Sequence, residues 1–504
     1  MTAPLKTSEL PLVLDRSPGK QIHLALYEAL RDAILSGRLA PGERLPSTRD
    51  LARQLGVARG TVVLAFGHLT AEGYAHGAHG AGTSVATTLP EAWFALERTP
   101  PTRAAAPRAV ALSKRGTVLA RSPFTNLPLT SAPLPFRPHT PAVEPFPVRR
   151  WMQLVARRAR KSGVAQLREV DARGYLPLRE NLAHHLRAAR GVRCEVDQIV
   201  IVPGIHLALD LLARLLLDPG DKVWFEDPGY FGARVLLAAA GAQLVPVPVD
   251  AHGLDVDRAR ALAPDARLAY VTPAHQSPLG SMLSLERRLA LLEWAARERA
   301  WIFEDDYDGE FRYVGRPLPA LQGLDERGVV LHAGTFSKSL FPGMRLGYVV
   351  LPPGLVAPFS AALTSTQRSP PLLPQAVLAD FIGEGDFARH LRRMRAIYAE
   401  RRACLLEGVA RELGGAVDLV GGESGFEVLA MLAHGIDDRE VCRRAGKMRL
   451  EPMPLSKYAV RPLDRGGLLL GFAAVSPART RRAIPELARI VATAPRRSTS
   501  ATRD

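Results

Sequence analysis

Short apolar runs alternate with amphipathic helical segments through residues 198–351 of this 504-residue chain, and this alternation restricts the fold more than any other feature. Strands that run parallel need a long crossover between them, which is usually a helix. The pattern therefore predicts a mostly parallel sheet covered by helices on both faces. The predicted strands are QIVIV (198–202), KVWFE (222–226), QLVPVPV (243–249), RLAYVTP (267–273), AWIFEDD (300–306), GVVLHAG (328–334) and GYVVL (347–351), and the predicted helices are 206–217, 231–240 and 284–299.

The regions on either side of this block predict a multi-domain chain. Residues 18–87 indicate three short helices followed by a glycine-rich hairpin. Residues 88–135 are rich in Pro, Ala, Arg and Thr, which predicts a linker, and the one short helix considered there lies around Trp93, Phe94 and Leu96. The rest is predicted to be a body over 136–504, with an α/β part over about 165–365 and a smaller α+β part over about 366–490.

Composition excludes several classes of protein. No stretch approaches the ~20 uninterrupted apolar residues that a membrane-spanning helix needs, and the N-terminus lacks the pattern of a signal peptide. Cys194, Cys404 and Cys442 are odd in number and far apart, so neither a disulfide framework nor a zinc site is expected. The net charge of +16 suits a nucleic-acid binder, because neutralising phosphates releases counterions. We therefore expect a cytoplasmic protein with no metal and no membrane partner.

A helix-turn-helix pattern lies within the first of these regions. Ser47 can cap a second helix that ends at Gly56, and a third helix follows from about Ala58 to Glu72. In this plan the start of the later helix meets the major groove, helix-end groups bind phosphates, and the hairpin lies against DNA as a wing. A small bundle with no DNA role is the alternative interpretation. The candidate DNA contacts are Arg44, Ser47, Arg49, Arg59, Gly60, Thr61, Gly80 and Gly82.

The run LYEALRDAILSGRLAPGERLPSTRDLARQLGVARGTVVLAFGHLTAEGYAHGAHGAGTSVA resembles the winged helix of the GntR family over nearly all of residues 20–86. The resemblance implies binding to a double-stranded DNA operator. The family usually has Ser-Arg-Asn-Thr where this chain has Ala58-Arg59-Gly60-Thr61, and its wing commonly carries a basic residue where this chain has Ala78-His79. Both departures remove polar contacts, so we expect an unusual DNA affinity or sequence preference.

Residues suited to covalent chemistry are concentrated between 300 and 350. In GTFSKSLFPGMRLGY, Lys338 lies between small hydroxyl residues on a strand-to-helix turn. A lysine that forms a Schiff base must lose its proton, which desolvation near other positive charge promotes. A phosphate beside it would need hydroxyls and a guanidinium fork, and the candidates are Thr335, Ser337 and Arg345.

An acidic segment, EDDYDGEF, precedes this turn by about thirty residues at a predicted strand end. A carboxylate there can pair with a pyridine nitrogen and keep it protonated, which makes the ring an electron sink. Asp305 fits this role, with Glu304 or Asp306 as alternatives if the register differs. Tyr307 can hydrogen-bond the phenolic oxygen of the same ring.

The joint order of these residues resembles that of fold-type I aminotransferases, which bind pyridoxal 5′-phosphate (PLP). The resemblance implies that Lys338 is the internal aldimine lysine and catalytic residue, that Asp305 pairs with the ring nitrogen and that Arg345 binds the phosphate. It also implies cofactor-binding roles for further residues: Gly204, Ile205 and His206 at the phosphate-binding helix start, Tyr230 stacked on the ring, and His275 and Gln276 near the ring oxygen.

A winged helix, a linker and an aminotransferase-like body in one chain resemble the MocR-type subfamily of GntR regulators. The phrases LLLDPGDKVWFEDPGY, TPAHQSP, FEDDYDGEFRY and TFSKSLFPGMRLGY carry this resemblance. It implies a homodimeric transcriptional regulator that holds PLP on Lys338. An arriving small amine, amino acid or PLP itself is expected to be the effector, acting by exchange at that lysine.

Three departures from the aminotransferase pattern bear on activity. Ile205 cannot donate a side-chain hydrogen bond to phosphate, and Glu169 lies near the position of a tyrosine that crosses the dimer in these enzymes. Leu469 lies where an arginine holds the substrate carboxylate, and Arg234 is the candidate substitute for effector binding. We expect sensing without physiological turnover. An active PLP-dependent aminotransferase with an appended DNA-binding domain, and a regulator that has lost PLP binding, are the alternatives.

Overall fold

A computed structural model describes residues 12, 14, 21–78, 82–89, 111–122, 132–162, 171–315, 319–367 and 370–495. The chain divides into two compact units, residues 1–110 and residues 111–504. None of the helices in these described ranges is long and apolar enough to cross a membrane. The positions expected to form a helix around Trp93, Phe94 and Leu96, and the departures at His79 and Glu169, lie outside the described residues.

The first unit is a three-helix winged helix with its own apolar core. Leu26, Leu30, Leu51, Val62 and Leu69 are buried together, so every helix contributes to the core. The two strands pair antiparallel and form the wing. The elements are α1 (Ile22–Leu35), α2 (Thr48–Leu55), α3 (Arg59–Ala71), β1 (Ala75–Ala78) and β2 (Gly82–Val85).

Local capping chemistry sets the ends of α2. The Ser47 hydroxyl accepts a hydrogen bond from the Asp50 amide, which satisfies one of the free N–H groups at the helix start. Gly56 ends the helix with φ of +63°, a conformation that glycine adopts without strain. The predicted cap and turn are therefore confirmed.

The second unit contains an eight-stranded mixed sheet with the order β3-β10-β9-β8-β7-β4-β5-β6. Strands β4, β5, β7, β8 and β9 pair parallel, whereas β10 is antiparallel to both of its neighbours and β6 to β5. The mostly parallel sheet is thus confirmed. The strands are β3 (Ile199–Val202), β4 (Lys222–Asp227), β5 (Gln243–Asp250), β6 (Gly253–Leu254), β7 (Leu268–Val271), β8 (Trp301–Asp306), β9 (Val330–Thr335) and β10 (Gly347–Val350).

Helices cover this sheet on both faces. Apolar clusters on the two faces contain Leu212 and Phe303 on one side and Trp224 and Trp294 on the other, whose indole rings stack with centroids 3.7 Å apart. The predicted helices are found within one residue of their expected bounds. The helices of this part are α4 (Lys114–Ala120), α5 (Val148–Ser162), α6 (Leu176–Arg190), α7 (Ile205–Leu216), α8 (Phe231–Ala240), α9 (Val256–Leu262), α10 (Leu285–Glu298), α11 (Phe336–Ser339) and α12 (Pro353–Thr366).

A smaller α+β part follows, as the sequence predicts. Its sheet is fully antiparallel, with the order β11-β12-β14-β13. The long helix Asp386–Leu413 packs against the last helix, Pro477–Ala492, beneath this sheet. Leu405 and Ile484 of these two helices belong to one apolar core. The elements are α13 (Leu372–Gly383), α14 (Asp386–Leu413), β11 (Val417–Val420), β12 (Glu427–Leu432), α15 (Asp438–Lys447), β13 (Met453–Pro454), β14 (Gly467–Gly471) and α16 (Pro477–Ala492).

One described piece of the expected linker is structured. Helix α4 begins after Ser113, whose hydroxyl accepts from the Gly116 amide at 3.0 Å, and it packs against α8. A seven-residue helix shows too little periodicity for sequence analysis to detect, and packing on a neighbouring helix supplies the stability that its length cannot.

Candidate functional site

The winged-helix unit presents its candidate DNA contacts on the surface. Arg59 and Gly60 are exposed at the start of α3, and the Arg59 Nε donates to the Thr48 hydroxyl at 3.3 Å. Thr61 is half-buried behind them. Arg49 is exposed in the first turn of α2, so cationic groups lie at the starts of both helices. Such a surface suits phosphate and base-edge contacts.

The wing carries a further cation. Arg44 pairs with Ser84 of β2, and its guanidinium lies 3.1 Å from the position a Cβ would take at Gly82. Ser47 uses its hydroxyl within the protein, because it also donates to the Asp50 carboxylate at 2.6 Å. Gly80 lies outside the described residues.

The candidate residues of the body lie at or just after the carboxyl ends of strands in the large sheet. Gly204 and His206 follow β3, Tyr230 follows β4, and His275 follows β7. Asp305 is the penultimate residue of β8, and Lys338 follows β9. The carboxyl ends of these strands share one edge of the sheet, which is where open α/β folds bind ligands.

Lys338 occupies the short helix α11, which Thr335 caps by accepting from the Ser337 amide at 3.1 Å. Its Nζ donates to the main-chain carbonyl of His139. Burial lowers the pKa of Lys338, and the nearby carboxylates oppose this shift. A lowered pKa favours the neutral amine that a Schiff-base nucleophile needs.

Asp305 has an incomplete set of hydrogen bonds. Its Oδ2 accepts from the Tyr270 hydroxyl at 2.6 Å, whereas its buried Oδ1 has no partner among the described residues. Burial raises the pKa of Asp305 to about 7. An unsatisfied buried polar atom costs about 1–3 kcal/mol, so a ligand that donates to Oδ1 would be stabilised.

The two alternative acids are fully engaged. Asp306 binds the Arg190 guanidinium through both oxygens, at 2.8 and 3.0 Å. Glu304 accepts from the amides of Leu321 and Gln322. Asp305 is therefore the one of these three carboxylates with an oxygen to offer a ligand.

The Arg345 guanidinium lies beside the start of α7. Gly204 has φ of +105°, and a Cβ there would lie 3.6 Å from the Arg345 guanidinium. The His206 Nε2 and the Tyr230 hydroxyl are 2.8 Å apart. Burial, together with the positive charges of Arg345 and Lys338, lowers the pKa of His206 to about 4. A helix N-terminus beside a guanidinium binds phosphate, so this end of the site suits an anion.

The loop after β7 brings together only some of its candidates. His275 contacts both Asp308 (2.8 Å) and the Tyr307 hydroxyl (3.0 Å) through Nδ1. Gln276 instead donates to the Pro228 carbonyl at 2.9 Å and accepts from the Leu279 amide. Both polar ends of the Gln276 side chain are therefore used in hydrogen bonds to the main chain. Gln276 is thus not part of the group that His275 forms with Asp308 and Tyr307.

Three residues near Lys338 were missed by the sequence analysis. His139 adopts a left-handed conformation, with φ of +56°, and its ring links Glu427 (2.8 Å) to Tyr458 (2.6 Å). The only sequence signal was an acid at the start of the apolar run FEVLAML. Backbone strain of this kind clusters at functional sites.

Arg234, the candidate effector residue, and Leu469, which stands where an arginine was expected, both make contacts within the protein. The Arg234 guanidinium donates to the carbonyls of Ala459 and Lys457 at 2.9 and 3.0 Å. Leu469 is fully buried in an apolar cluster with Phe231 and Tyr458. Both terminal nitrogens of Arg234 therefore hold the 457–459 segment, and its effector role stays a prediction.

Comparison with known proteins matches both units. Residues 23–85 match the family of bacterial regulatory proteins, gntR family, and residues 141–449 match aminotransferase class I and II. The chain is 42% identical to the probable rhizopine catabolism regulatory protein MocR of Rhizobium meliloti, covering 94% of this chain and 95% of that one. It is 33% identical to the pyridoxine biosynthesis transcriptional regulator PdxR of Corynebacterium glutamicum, covering 79% and 80%.

The body also resembles solved enzyme structures. The α-aminoadipate aminotransferase LysN of Thermus thermophilus, in complex with N-(5′-phosphopyridoxyl)-L-leucine, superposes with a TM-score of 0.70. The two are 27% identical over 76% of this chain and 97% of that one. The cofactor of this body is thus pyridoxal 5′-phosphate.

The residues present fit this cofactor. The unpartnered Asp305 Oδ1 can accept from a protonated ring nitrogen, and the cationic start of α7 can bind the phosphate. Lys338, which follows the neighbouring strand β9, supplies the amine. With two family matches in one chain and a MocR relative aligned along almost all of it, the chain belongs to the MocR-type subfamily of GntR-family transcriptional regulators.

Proposed function

We propose that the protein senses a small amine through PLP held on Lys338 and regulates transcription through its winged helix on an operator. One observation carries the proposal: the unpartnered oxygen of Asp305, near the end of β8, and the amine of Lys338, in the helix after β9, lie at the same edge of the sheet. Bound there, PLP supplies an electron sink and a carbon to which primary amines attach reversibly.

Each part of the chain has a distinct task in this proposal. Lys338 attaches the cofactor, because its lowered pKa favours the neutral amine. Asp305 orients the ring by accepting from its nitrogen. The amides at the start of α7, together with Arg345, Thr335 and Ser337, bind the phosphate.

Capture of an amino acid for turnover has less support than sensing. An amino acid carboxylate is best bound bidentately by a guanidinium. Leu469 is apolar and buried, and the Arg234 guanidinium is occupied by two carbonyls. Attachment of an amine without steady turnover is therefore the favoured activity.

The segment 132–142 offers a route from the site toward the linker. Arg137 binds Glu451 at 2.9 Å through Nη2, and the Phe136 carbonyl accepts from the Gly471 amide at 2.9 Å. The same segment accepts from Lys338 at His139. A change at the Lys338 amine alters this contact, so the segment can favour one arrangement energetically, as allosteric coupling requires.

A homodimer acting in the cytoplasm completes the proposal. Helix-turn-helix regulators commonly read two half-sites with a two-fold symmetric dimer, so two winged helices would bind one double-stranded operator. The exposed cations Arg44, Arg49 and Arg59 support this use of the first unit.

The test is reconstitution with PLP. The native protein is expected to gain a visible absorbance band and thermal stability, since binding to the folded state stabilises it. Lys338→Ala should lose the lysine-dependent band. Lys222→Ala is the matched control, because this partly exposed lysine begins β4 at the opposite sheet edge, and it should behave as the native protein. Identical spectra for native protein and Lys338→Ala, or no band in either, would overturn the assignment.

A further inference from the structure

The lysine side of the site is bordered by an acid held in place by His139. Glu427 accepts from the His139 amide at 2.9 Å and contacts its Nδ1 at 2.8 Å. The His139 carbonyl in turn accepts from Lys338. One residue thus connects the attachment lysine to the Glu427 carboxylate through its own backbone.

Glu427 is a fixed negative charge. Its side chain is 3% exposed; burial raises its pKa, but the contacts with His139 and the charge of His275 outweigh burial and lower the pKa of Glu427 to about 2. Three carboxylates counteract the effect of burial on the pKa of Lys338. Glu427 has the largest effect, followed by Asp308 and Asp305. An amine arriving at Lys338 therefore approaches the ionised Glu427 carboxylate and its partner His139.

Two candidate guanidinium groups for a ligand carboxylate, those of Arg465 and Arg234, are engaged within the protein. Leu469 packs in an apolar cluster with Phe231 and Leu455. Arg465, the nearest arginine in sequence before this strand, binds Asp418 at 2.6 Å and the Leu432 carbonyl at 2.9 Å. Arg234 is likewise engaged with two carbonyls.

Hydrogen-bonding side chains that already contact one another lie in this region instead. The Tyr458 hydroxyl lies 2.6 Å from His139 Nε2 and 3.0 Å from the Met453 sulfur. Tyr307 and His275 form a second polar pair beside Asp308. Such groups bind a hydroxyl or an ammonium, whereas a carboxylate beside Glu427 meets like charge at low dielectric.

We propose that the effector is a primary amine without a carboxylate, whose far end carries a hydroxyl or a second amine. Glu427, positioned by His139, excludes amino acids from the site. This proposal rests on the proposed function, because it concerns the amine that attaches at the Lys338 site.

The test compares three amines of equal chain length. PLP-loaded native protein is titrated with 4-aminobutan-1-ol, 1,4-diaminobutane and 4-aminobutanoate, and the change of the absorbance band and of thermal stability is followed. Each affinity is divided by that of the same amine for free PLP, which removes intrinsic reactivity. We expect one of the first two to bind roughly tenfold more tightly than the carboxylate. Comparing 4-aminobutan-1-ol with 1,4-diaminobutane shows whether the far end of the effector carries a hydroxyl or a second amine.

Two variants locate the cause of the preference. Glu427→Gln keeps the hydrogen-bonding shape and should reduce the preference to within roughly threefold, because the like charge is gone. Glu440→Gln changes a half-buried acid on α15 that pairs with Arg443, outside the site, and should leave the preference unchanged. The native titration is decisive even if Glu427→Gln fails to fold.

Equal or tighter binding of 4-aminobutanoate by the native protein would overturn the proposal. Lys457, whose ammonium lies 4.7 Å from the centre of the Phe231 ring, would then be the group to substitute. An unchanged preference in folded Glu427→Gln would also contradict it. A protein that forms no lysine-dependent band fails at the earlier step, so the two failures are distinguishable.

Discussion

The winged helix and the PLP body use charge in opposite ways. In the winged helix, Arg49 and Arg59 are exposed on the surface, and a small apolar core holds the helices together. In the body, the side chains of Asp305, Asp306 and Glu427 are buried at strand ends and depend on specific partners. Exposed charges are free to meet a large polyanion and contribute little to stability, whereas buried charges shape a site and destabilise the fold when left unpaired.

The largest expected effect comes from unpairing a buried charge in the body. Arg190→Met leaves the Asp306 carboxylate without its bidentate partner, and both side chains are at most 4% exposed. We expect the body to lose about 3–5 kcal/mol in free energy of unfolding, measured by denaturant unfolding.

Arg214→Met is the matched control for this substitution. Arg214 pairs with Asp210 at 2.6 Å, but its side chain is 48% exposed, so the loss should stay below about 0.5 kcal/mol. Similar losses of unfolding free energy in the two variants would show that burial does not determine how much a charge pair contributes to the stability of this body.

A second test uses pH to isolate Asp305. In the cofactor-free protein its pKa is raised to about 7, whereas an unfolded aspartate titrates near 3.9. Between these values the folded state holds a proton that the unfolded state releases, so stability falls as pH rises from about 4 to about 7 and is constant above. Relative to Asp305→Asn, the native protein should lose about 2–4 kcal/mol across this window.

Denaturant unfolding of cofactor-free protein at several pH values measures this difference. Loading with PLP should flatten the profile, because a protonated ring nitrogen would stabilise the ionised carboxylate. Parallel stability profiles for native protein and Asp305→Asn would mean that Asp305 keeps an ordinary pKa.

The smallest expected effect is on binding rather than on folding. Arg59→Ala removes an exposed cation at the start of α3 and should weaken binding to selected genomic fragments by about 1–3 kcal/mol. Thermal stability should change by less than about 0.5 kcal/mol. Arg53→Ala on α2, 75% exposed, is the control and should bind nearly as the native protein. A loss of stability without a loss of DNA affinity would reverse the assigned role of Arg59.

Local signals predicted much of the fold. The Ser47 cap, the Gly56 turn and seven strands of the large sheet follow from capping chemistry and apolar periodicity, which act over a few residues. The antiparallel direction of β10 was not predicted, because strand pairing depends on long-range geometry rather than on local pattern. Helix α4 was missed for the opposite reason, since its own sequence is too short to stabilise it.

The site divides in the same way. The spacing of Asp305 and Lys338, with the family resemblance it carries, was legible in the sequence. Which of three adjacent acids keeps an oxygen unpartnered was decided by Arg190 and by the amides of 321 and 322, which are distant in the chain.

The sequence by itself determined the order of the two units, the strand-helix alternation and the family to which they belong. Only the tertiary structure decided that His139 joins Lys338 to Glu427, across about two hundred and three hundred residues of chain. The physical reason is that hydrogen bonding and periodic burial are local, whereas the electrostatics of a buried site depend on whichever charges the fold brings within a few ångströms.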